Sequence, residues 1–115
     1  METIALCVFL SGACFGLFMA YRHFTHAPIP APAALIHGIL GATGLVILLL
    51  TVLPRASFDS VTLAFAVFAA AAVLGFVNLS FHLRKKRHRS ALIVLHGLVA
   101  VSGAGILLFA ILKPS

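Results

Sequence analysis

The sequence predicts an all-α protein, a four-helix transmembrane bundle formed by tandem duplication of a two-helix hairpin. Two observations predict the bundle and a third predicts the duplication. The 115 residues are 63% hydrophobic and 9% charged, with a mean hydropathy of +1.21, which is more apolar surface than one small soluble core can bury. Charged residues and prolines divide the chain into four apolar stretches, and the two halves match at an offset of 59 residues. Residues 1–115 are therefore predicted to form a single transmembrane domain.

The four stretches can be taken in chain order. The first, Thr3 to Ala20, has the position of a secretory signal, but its start carries Glu2 and no Lys or Arg, so we expect a spanning helix. The others are Ala33 to Leu53, Val61 to Leu83 and Ala91 to Leu112. Each has about the 20 residues that a helix needs to cross the hydrocarbon core. Pro32 and Ser90 suit the starts of the second and fourth helices, as a first-turn proline and an N-cap serine.

The basic residues predict the orientation. Six of the eight Lys and Arg residues lie in the first and third connections, residues 21–32 and 84–90. The positive-inside bias places these two loops in the cytoplasm, so both termini face outward. The run RKKRHR is also suited to contact anionic lipid headgroups. Nucleic acid is not an expected partner, because the chain has no soluble domain to bind it.

The two halves of the chain align without a gap. Fourteen positions carry the same residue 59 positions later: Thr3, Ala5, Val8, Phe9, Ala13, Gly16, His23, His37, Gly38, Gly44, Ile47, Leu48, Leu49 and Leu53. Apolar composition alone would not also align two histidines with histidines. The sequence therefore predicts two repeat units, about 1–56 and about 60–115. Each unit has two spans, so both enter the membrane in the same direction and their twofold axis follows the membrane normal.

Four histidines stand out, because ionisable side chains within a span are costly and are functional candidates by default. His37 and His96 lie about 8 to 9 Å along their helices, whereas His23 and His82 close the first and third spans. The same helix faces carry small residues after the deeper pair: Gly41 and Gly44 after His37, and Ala100 and Gly103 after His96. Small residues alone would indicate only helix packing. With the histidines, they predict a flat trough beside a pair of ligands.

The absence of acidic residues from the spans restricts the kinds of ligand that the protein could bind. The only acidic residues are Glu2 and Asp59, and both lie outside the apolar stretches. This argues against a proton-coupled exporter and against a hydrolytic metal site, since each needs a carboxylate near its centre. Imidazole is a common ligand of haem iron, and a planar macrocycle needs Gly or Ala beneath it. The fitting ligand is haem b between His37 and His96, with one axial bond from each half.

The segments HGILGATG and HGLVAVSG resemble the bis-histidine membrane subunits of b-type cytochromes, four-helix bundles that hold haem between facing helices. The resemblance covers the second and fourth helices and implies electron transfer through haem b, with a quinone or a redox protein as partner. It describes an electron-transfer protein or an oxidoreductase subunit rather than a stand-alone enzyme. The spans contain no second ligand set in their outer halves, so we expect electron exchange on the cytoplasmic side only. The oligomeric state stays open.

The outer pair, His23 and His82, has two interpretations. These residues could ligate a second haem, or they could hydrogen-bond the propionates of the first, with Arg22 and Arg84 supplying charge. Two other classes of protein stay open. A transition-metal carrier would use all four imidazoles as one cluster. A structural subunit of a larger membrane complex would need no ligand at all.

Overall fold

The computed structural model describes residues 1–87 and 89–113, and over these residues the chain is an all-α bundle of four helices. The helices are α1 (Glu2–Phe24), α2 (Ala31–Val52), α3 (Ser60–Leu83) and α4 (Ser90–Leu112). His88, in the predicted loop 84–90, and residues 114–115, at the end of the second repeat unit, lie outside the described residues. Each helix is long and apolar enough to cross a membrane. The predicted four-helix bundle of apolar helices is confirmed.

Local signals explain most helix boundaries. Pro32 lies in the first turn of α2, where its missing N–H is not needed. The Oδ1 of Asp59 accepts a 2.9 Å hydrogen bond from the backbone N–H of Thr62 and caps α3. The start of α4 differs from the prediction, because Arg89 occupies the N-cap position and Ser90 is the first helical residue. The serine is not a cap because its hydroxyl bonds His23 in the other hairpin.

The four helices form two hairpins, α1 with α2 and α3 with α4. The hairpins join through α1 against α4 and α2 against α3, so α1 lies diagonally across from α3, and α2 from α4. The α1–α2 and α3–α4 connections lie together at one end of the bundle, here called the hairpin end. The start of α1, the end of α4 and the α2–α3 connection lie at the other end, the terminal end.

Several buried residues recur 59 positions apart. Leu48 and Leu107 are both fully buried, as are Ala5 and Ala64. The rings of Phe9 and Phe68 stack across the α1–α3 diagonal, with centroids 3.7 Å apart and planes inclined by 7°. These two phenylalanines meet the same residue type from the other hairpin. The core therefore has an approximate twofold axis along the bundle.

The two turns at the hairpin end share one backbone geometry although their sequences differ. After α1, His26 adopts a left-handed conformation with φ of 59°, and after α3, Lys85 does so with φ of 54°. The N–H of Ala27 bonds the carbonyl of Arg22 at 2.8 Å, and the N–H of Lys86 bonds that of Phe81 at 2.9 Å. This pattern is a Schellman C-cap, which satisfies the last carbonyls of a helix. It sends both chains back along their hairpins in the same way.

The terminal end is held by an ionic network. The guanidinium of Arg55 donates to Glu2 at 2.6 Å and also to the carboxylate of Asp59. The backbone hydrogen bond from Thr62 lowers the pKa of Asp59 below its ordinary value, and Arg55 adds to the effect. This network joins the start of α1 to the α2–α3 connection. Both acidic residues of the sequence are thus committed at the terminal end.

Candidate histidine site

His37 and His96 meet at the centre of the bundle. Each lies in the second turn of its helix, α2 and α4 respectively, and is half-buried. Their rings approach each other across the α2–α4 diagonal, with centroids 5.9 Å apart and planes inclined by 78°. The structure therefore brings together the two residues that were predicted as an axial pair.

Each imidazole is held by the neighbouring helix of its own hairpin. The Nδ1 of His37 lies 2.8 Å from the carbonyl oxygen of Gly12, and the Nδ1 of His96 lies 2.7 Å from that of Ala71. A carbonyl only accepts, so Nδ1 carries the proton and donates, and Nε2 carries the lone pair. Within the described part of the chain, neither Nε2 has a hydrogen-bond partner. The Nε2 of each ring therefore has a lone pair that is available to bind a metal ion.

Two glycines allow these rings to lie against α1 and α3. A Cβ on Gly16 would come within 3.0 Å of Cε1 of His37, and a Cβ on Gly75 within 3.2 Å of Cε1 of His96. Both contacts are shorter than the 3.5–4.0 Å or so at which carbon atoms pack. A side chain at either position would push the imidazole away. These two glycines belong to the site and are not among the site residues predicted from the sequence.

The small residues predicted to form a trough are partly covered by phenyl rings. A Cβ on Gly44 would lie 2.7 Å from Cε1 of Phe9, and one on Gly103 would lie 3.2 Å from the ring of Phe68. These glycines therefore receive the stacked phenyl rings, which differs from the expectation that they underlie a macrocycle. Gly41 is different, because no atom lies within 4 Å of its added Cβ. Ala100, in the equivalent position of α4, is half-buried.

The outer histidines lie apart from this pair. His23 and His82 are in the last turns of α1 and α3, where both line a cavity of about 610 Å³ at the hairpin end. The Nε2 of His23 is 2.9 Å from the hydroxyl oxygen of Ser90, which joins α1 to α4. Among the described residues, no group of three or more His, Cys, Asp or Glu side chains is close enough to hold a metal ion. The four imidazoles do not form one cluster there.

Arg22 and Arg84, the two arginines predicted near a propionate, lie at the hairpin end. The Nε of Arg22 donates to the carbonyl of Pro28 at 2.8 Å, and its guanidinium lies 5.9 Å from the ring centroid of Phe18. Arg84 is exposed and follows the last residue of α3. Arg87 and Ser90 line the hairpin-end cavity. Arg87 could not be singled out from the sequence, because the run RKKRHR does not indicate which of its residues lines a cavity.

No protein-family model, curated protein or solved structure matches this chain. The functional proposal for this chain therefore rests on its own side chains, chiefly the imidazoles of His37 and His96.

Proposed function

We propose that this protein is a membrane b-type cytochrome in which His37 and His96 hold one haem b as its two axial ligands. The observation that carries the proposal is the meeting of two imidazoles across the bundle, each with Nδ1 bonded and Nε2 available. Histidines that bind metals almost always donate their other N–H to a carbonyl or carboxylate. That bond fixes the tautomer and orients the ring.

The spacing of the rings is close to that of a shared metal ion. Bonds from a metal to imidazole nitrogen are about 2.0–2.1 Å long and the ring centroid lies about 1.2 Å beyond the nitrogen, so one ion in line between two imidazoles sets their centroids about 6.4 Å apart. The centroids of His37 and His96 are 5.9 Å apart, so a small outward shift of the rings would admit an ion. The donor set also fits haem iron, which takes two imidazoles and needs no carboxylate. The fit is supported by the axial pair and by the open face at Gly41, and not by Gly44 or Gly103.

When bound between two imidazoles, haem supplies transfer of one electron at a time. The chain contributes the orientation of the ligands and the exclusion of water. The carbonyls of Gly12 and Ala71 hold the rings, and the stacked Phe9 and Phe68 close the bundle on the terminal side. Hydrogen bonds to a ligand and the apolarity around it set the potential of a metal centre.

The proposal includes a tandem duplication inserted in a bilayer. Its support is the recurrence of contacts at an offset of 59 residues: the histidine to carbonyl bonds, the glycine contacts, the phenyl stack and the turns. The hairpin end carries six of the eight basic residues, so it is assigned to the cytoplasm. The haem then lies in the cytoplasmic half of the membrane.

Electrons are proposed to enter and leave on that side. From Leu45 to Leu53 and from Gly105 to Leu112 the sequence contains no His, Met or Cys that could bind a second metal centre. A quinone in the bilayer, or an anionic cytoplasmic protein attracted to the basic hairpin end, would exchange electrons with the haem. The chain alone does not complete transfer across the membrane.

The test is an optical spectrum of the purified protein after expression with added haem. We expect a Soret band and the sharp α band of reduced low-spin haem b, with one haem per chain in a pyridine haemochrome assay. His37→Ala and His96→Ala should each abolish the low-spin spectrum. His26→Ala, which removes an imidazole from the hairpin turn, should leave it unchanged. A protein without haem, or a His96→Ala variant with the full spectrum, would refute the proposal.

The same assay determines the role of the outer pair. If His82→Ala keeps one low-spin haem and shifts its potential, the outer histidines act on the surroundings of a single site. If that variant loses half of a two-haem content, a second haem is bound near His23 and His82.

A structural role is the second candidate, and the histidine to carbonyl bonds favour it. Each joins two helices of one hairpin, at 2.8 Å and 2.7 Å, without any ligand. Glutamine can donate a similar hydrogen bond but is not an axial ligand of haem b. A His37→Gln, His96→Gln double variant should therefore assemble and function normally if the histidines only hold helices together, whereas it should lose all haem under the main proposal.

A further inference from the structure

A cavity lies at the hairpin end, away from the central histidine pair. Its volume is about 610 Å³, within the range of small-molecule sites. Its lining comes from both hairpins: His23, Phe24, His26, Ala27, Pro28, Ile29, His82, Arg87 and Ser90. Neither His37 nor His96 contributes to it. The cavity is therefore a separate site from the proposed haem ligands.

Its lining combines two kinds of residue. Phe24, Ala27, Pro28 and Ile29 are apolar. The others carry hydrogen-bonding side chains and comprise Arg87, three histidines and Ser90. No acidic residue lines it, since both acids of the sequence are at the terminal end. An arginine and several histidines together with apolar residues suit an amphiphile with an anionic oxygen group.

The location favours a ligand that arrives from outside the bundle. The cavity is formed largely by the connections that follow α1 and α3, and Phe24 beside it is 52% exposed. At the end of a membrane-spanning bundle this is the level of the lipid headgroups. Basic pockets at that level bind anionic lipid headgroups. Other oxyanions, such as free phosphate or the propionates of a bound haem, share this chemistry but differ in source.

We infer that the hairpin-end cavity binds the phosphate headgroup of an anionic phospholipid, with Arg87 as its charged contact and the apolar lining residues Phe24, Ala27, Pro28 and Ile29 against the glycerol and upper acyl chain. This site does not depend on the proposed haem. Its role would be to attach the two hairpin turns to the membrane surface. Among the basic residues of the α3–α4 connection that the structure describes, Arg87 is the one that lines the cavity.

The experiment compares lipid retention by the full-length protein in detergent, measured by native mass spectrometry after exposure to phosphatidylglycerol or phosphatidylcholine vesicles. The wild type should retain phosphatidylglycerol in preference to phosphatidylcholine. Arg87→Gln should bind phosphatidylglycerol about tenfold more weakly, since a hydrogen bond to a charged group contributes about 1.5–3 kcal/mol. Lys86→Gln is the matched control, because it removes the same charge from the same loop but not from the lining. It should bind lipid like the wild type.

Several results would overturn the inference. Equal loss in Lys86→Gln and Arg87→Gln would mean that the loop attracts lipid by its total charge and not through this cavity. Displacement of the lipid by millimolar inorganic phosphate would mean that the cavity prefers a soluble oxyanion. Loss of lipid on loading with haem would assign the cavity to the propionates. An Arg87→Lys variant and a circular dichroism spectrum distinguish lost contact from lost folding, and an unchanged haem spectrum in Arg87→Gln keeps the two proposals separate.

Discussion

Replacing Gly16 by alanine is the sharpest test of how the chain orients the central imidazoles. The new methyl group would lie 3.0 Å from Cε1 of His37. Carbon atoms pack at about 3.5–4.0 Å, so the ring has to move by a few tenths of an ångström. It cannot do so freely, because its Nδ1 is bonded to the carbonyl of Gly12 at 2.8 Å. The substitution therefore either changes the orientation of the imidazole or weakens its hydrogen bond to Gly12.

The expected change in stability is small, whereas the expected change in haem binding is large. Weakening the hydrogen bond to Gly12 costs about 0.5–1.5 kcal/mol. Replacing Gly by Ala within a helix gains about 0.8–1.0 kcal/mol. The free energy of unfolding should thus change by less than about 1 kcal/mol. Disturbing the partners that orient a metal ligand typically costs about 10–100-fold in metal affinity, and we expect a loss of that size for haem.

Haem titration of the apoprotein, followed by the Soret absorbance, measures the affinity, and unfolding in mixed micelles measures the stability. Gly38→Ala is the matched control, since it makes the same chemical change beside His37 at a position with no atom within 4 Å of the added Cβ. Wild-type haem affinity in Gly16→Ala would refute the argument that this glycine positions the imidazole. Equal losses in Gly16→Ala and Gly38→Ala would refute it as well.

Three further outcomes are expected. Because the two central imidazole planes are inclined by 78°, oxidised protein should give the strongly anisotropic low-spin electron paramagnetic resonance signal of perpendicular axial ligands, and the signal of parallel planes would contradict the geometry. Gly44→Ala places a methyl 2.7 Å from the Phe9 ring, so the overpacking cost of about 1–3 kcal/mol should exceed the gain from the higher helix propensity of alanine. Gly41→Ala places its methyl in open space and should lose no stability in the same unfolding assay. The pKa of Asp59 is lowered in the folded state. Its carboxylate therefore stabilises the fold fully at pH values above the unfolded pKa of about 3.9. This stabilisation is lost as the pH falls through the folded pKa. The stability difference between wild type and Asp59→Asn should accordingly shrink on acidification, and a difference that grows would show the opposite sign.

The fold could be predicted because its main determinants are local. Four apolar runs of spanning length fix the helices, and the observed bounds differ from the predicted ones by a few residues. The largest difference is at α1, which continues through Arg22 to Phe24. The prediction ended that span at the first charge, whereas a helix tolerates charged side chains in its last turn where they reach water. Ser90 was placed wrongly as a cap for another reason, since its partner His23 is 67 residues away.

The candidate site could be predicted only in part. Two pairs of histidines aligned at one offset are visible in the sequence, and the structure brings one pair together. Their partners are not visible, because the carbonyls of Gly12 and Ala71 belong to the backbone and any residue type supplies one. A small residue in the sequence indicates that another group packs closely against it, but it does not indicate which group. Gly44 was therefore expected to face a macrocycle, although the structure packs it against Phe9.

The approximate twofold axis explains why equivalent residues meet at the centre of this bundle and why its ends can differ. A residue close to such an axis faces its own counterpart, so Phe9 meets Phe68 on one diagonal, and His37 meets His96 on the other. A change in one member alters a contact of the other, which links the two halves at these layers. Away from the axis this constraint disappears. His23 bonds Ser90, but the position equivalent to Ser90 in the first half is Ala31, which has no hydroxyl to offer His82. The central histidine pair is thus equivalent between the two hairpins, whereas the contacts at the hairpin end are not. Substitutions at His37 and His96 should therefore have equal effects, whereas substitutions at His23 and His82 should not.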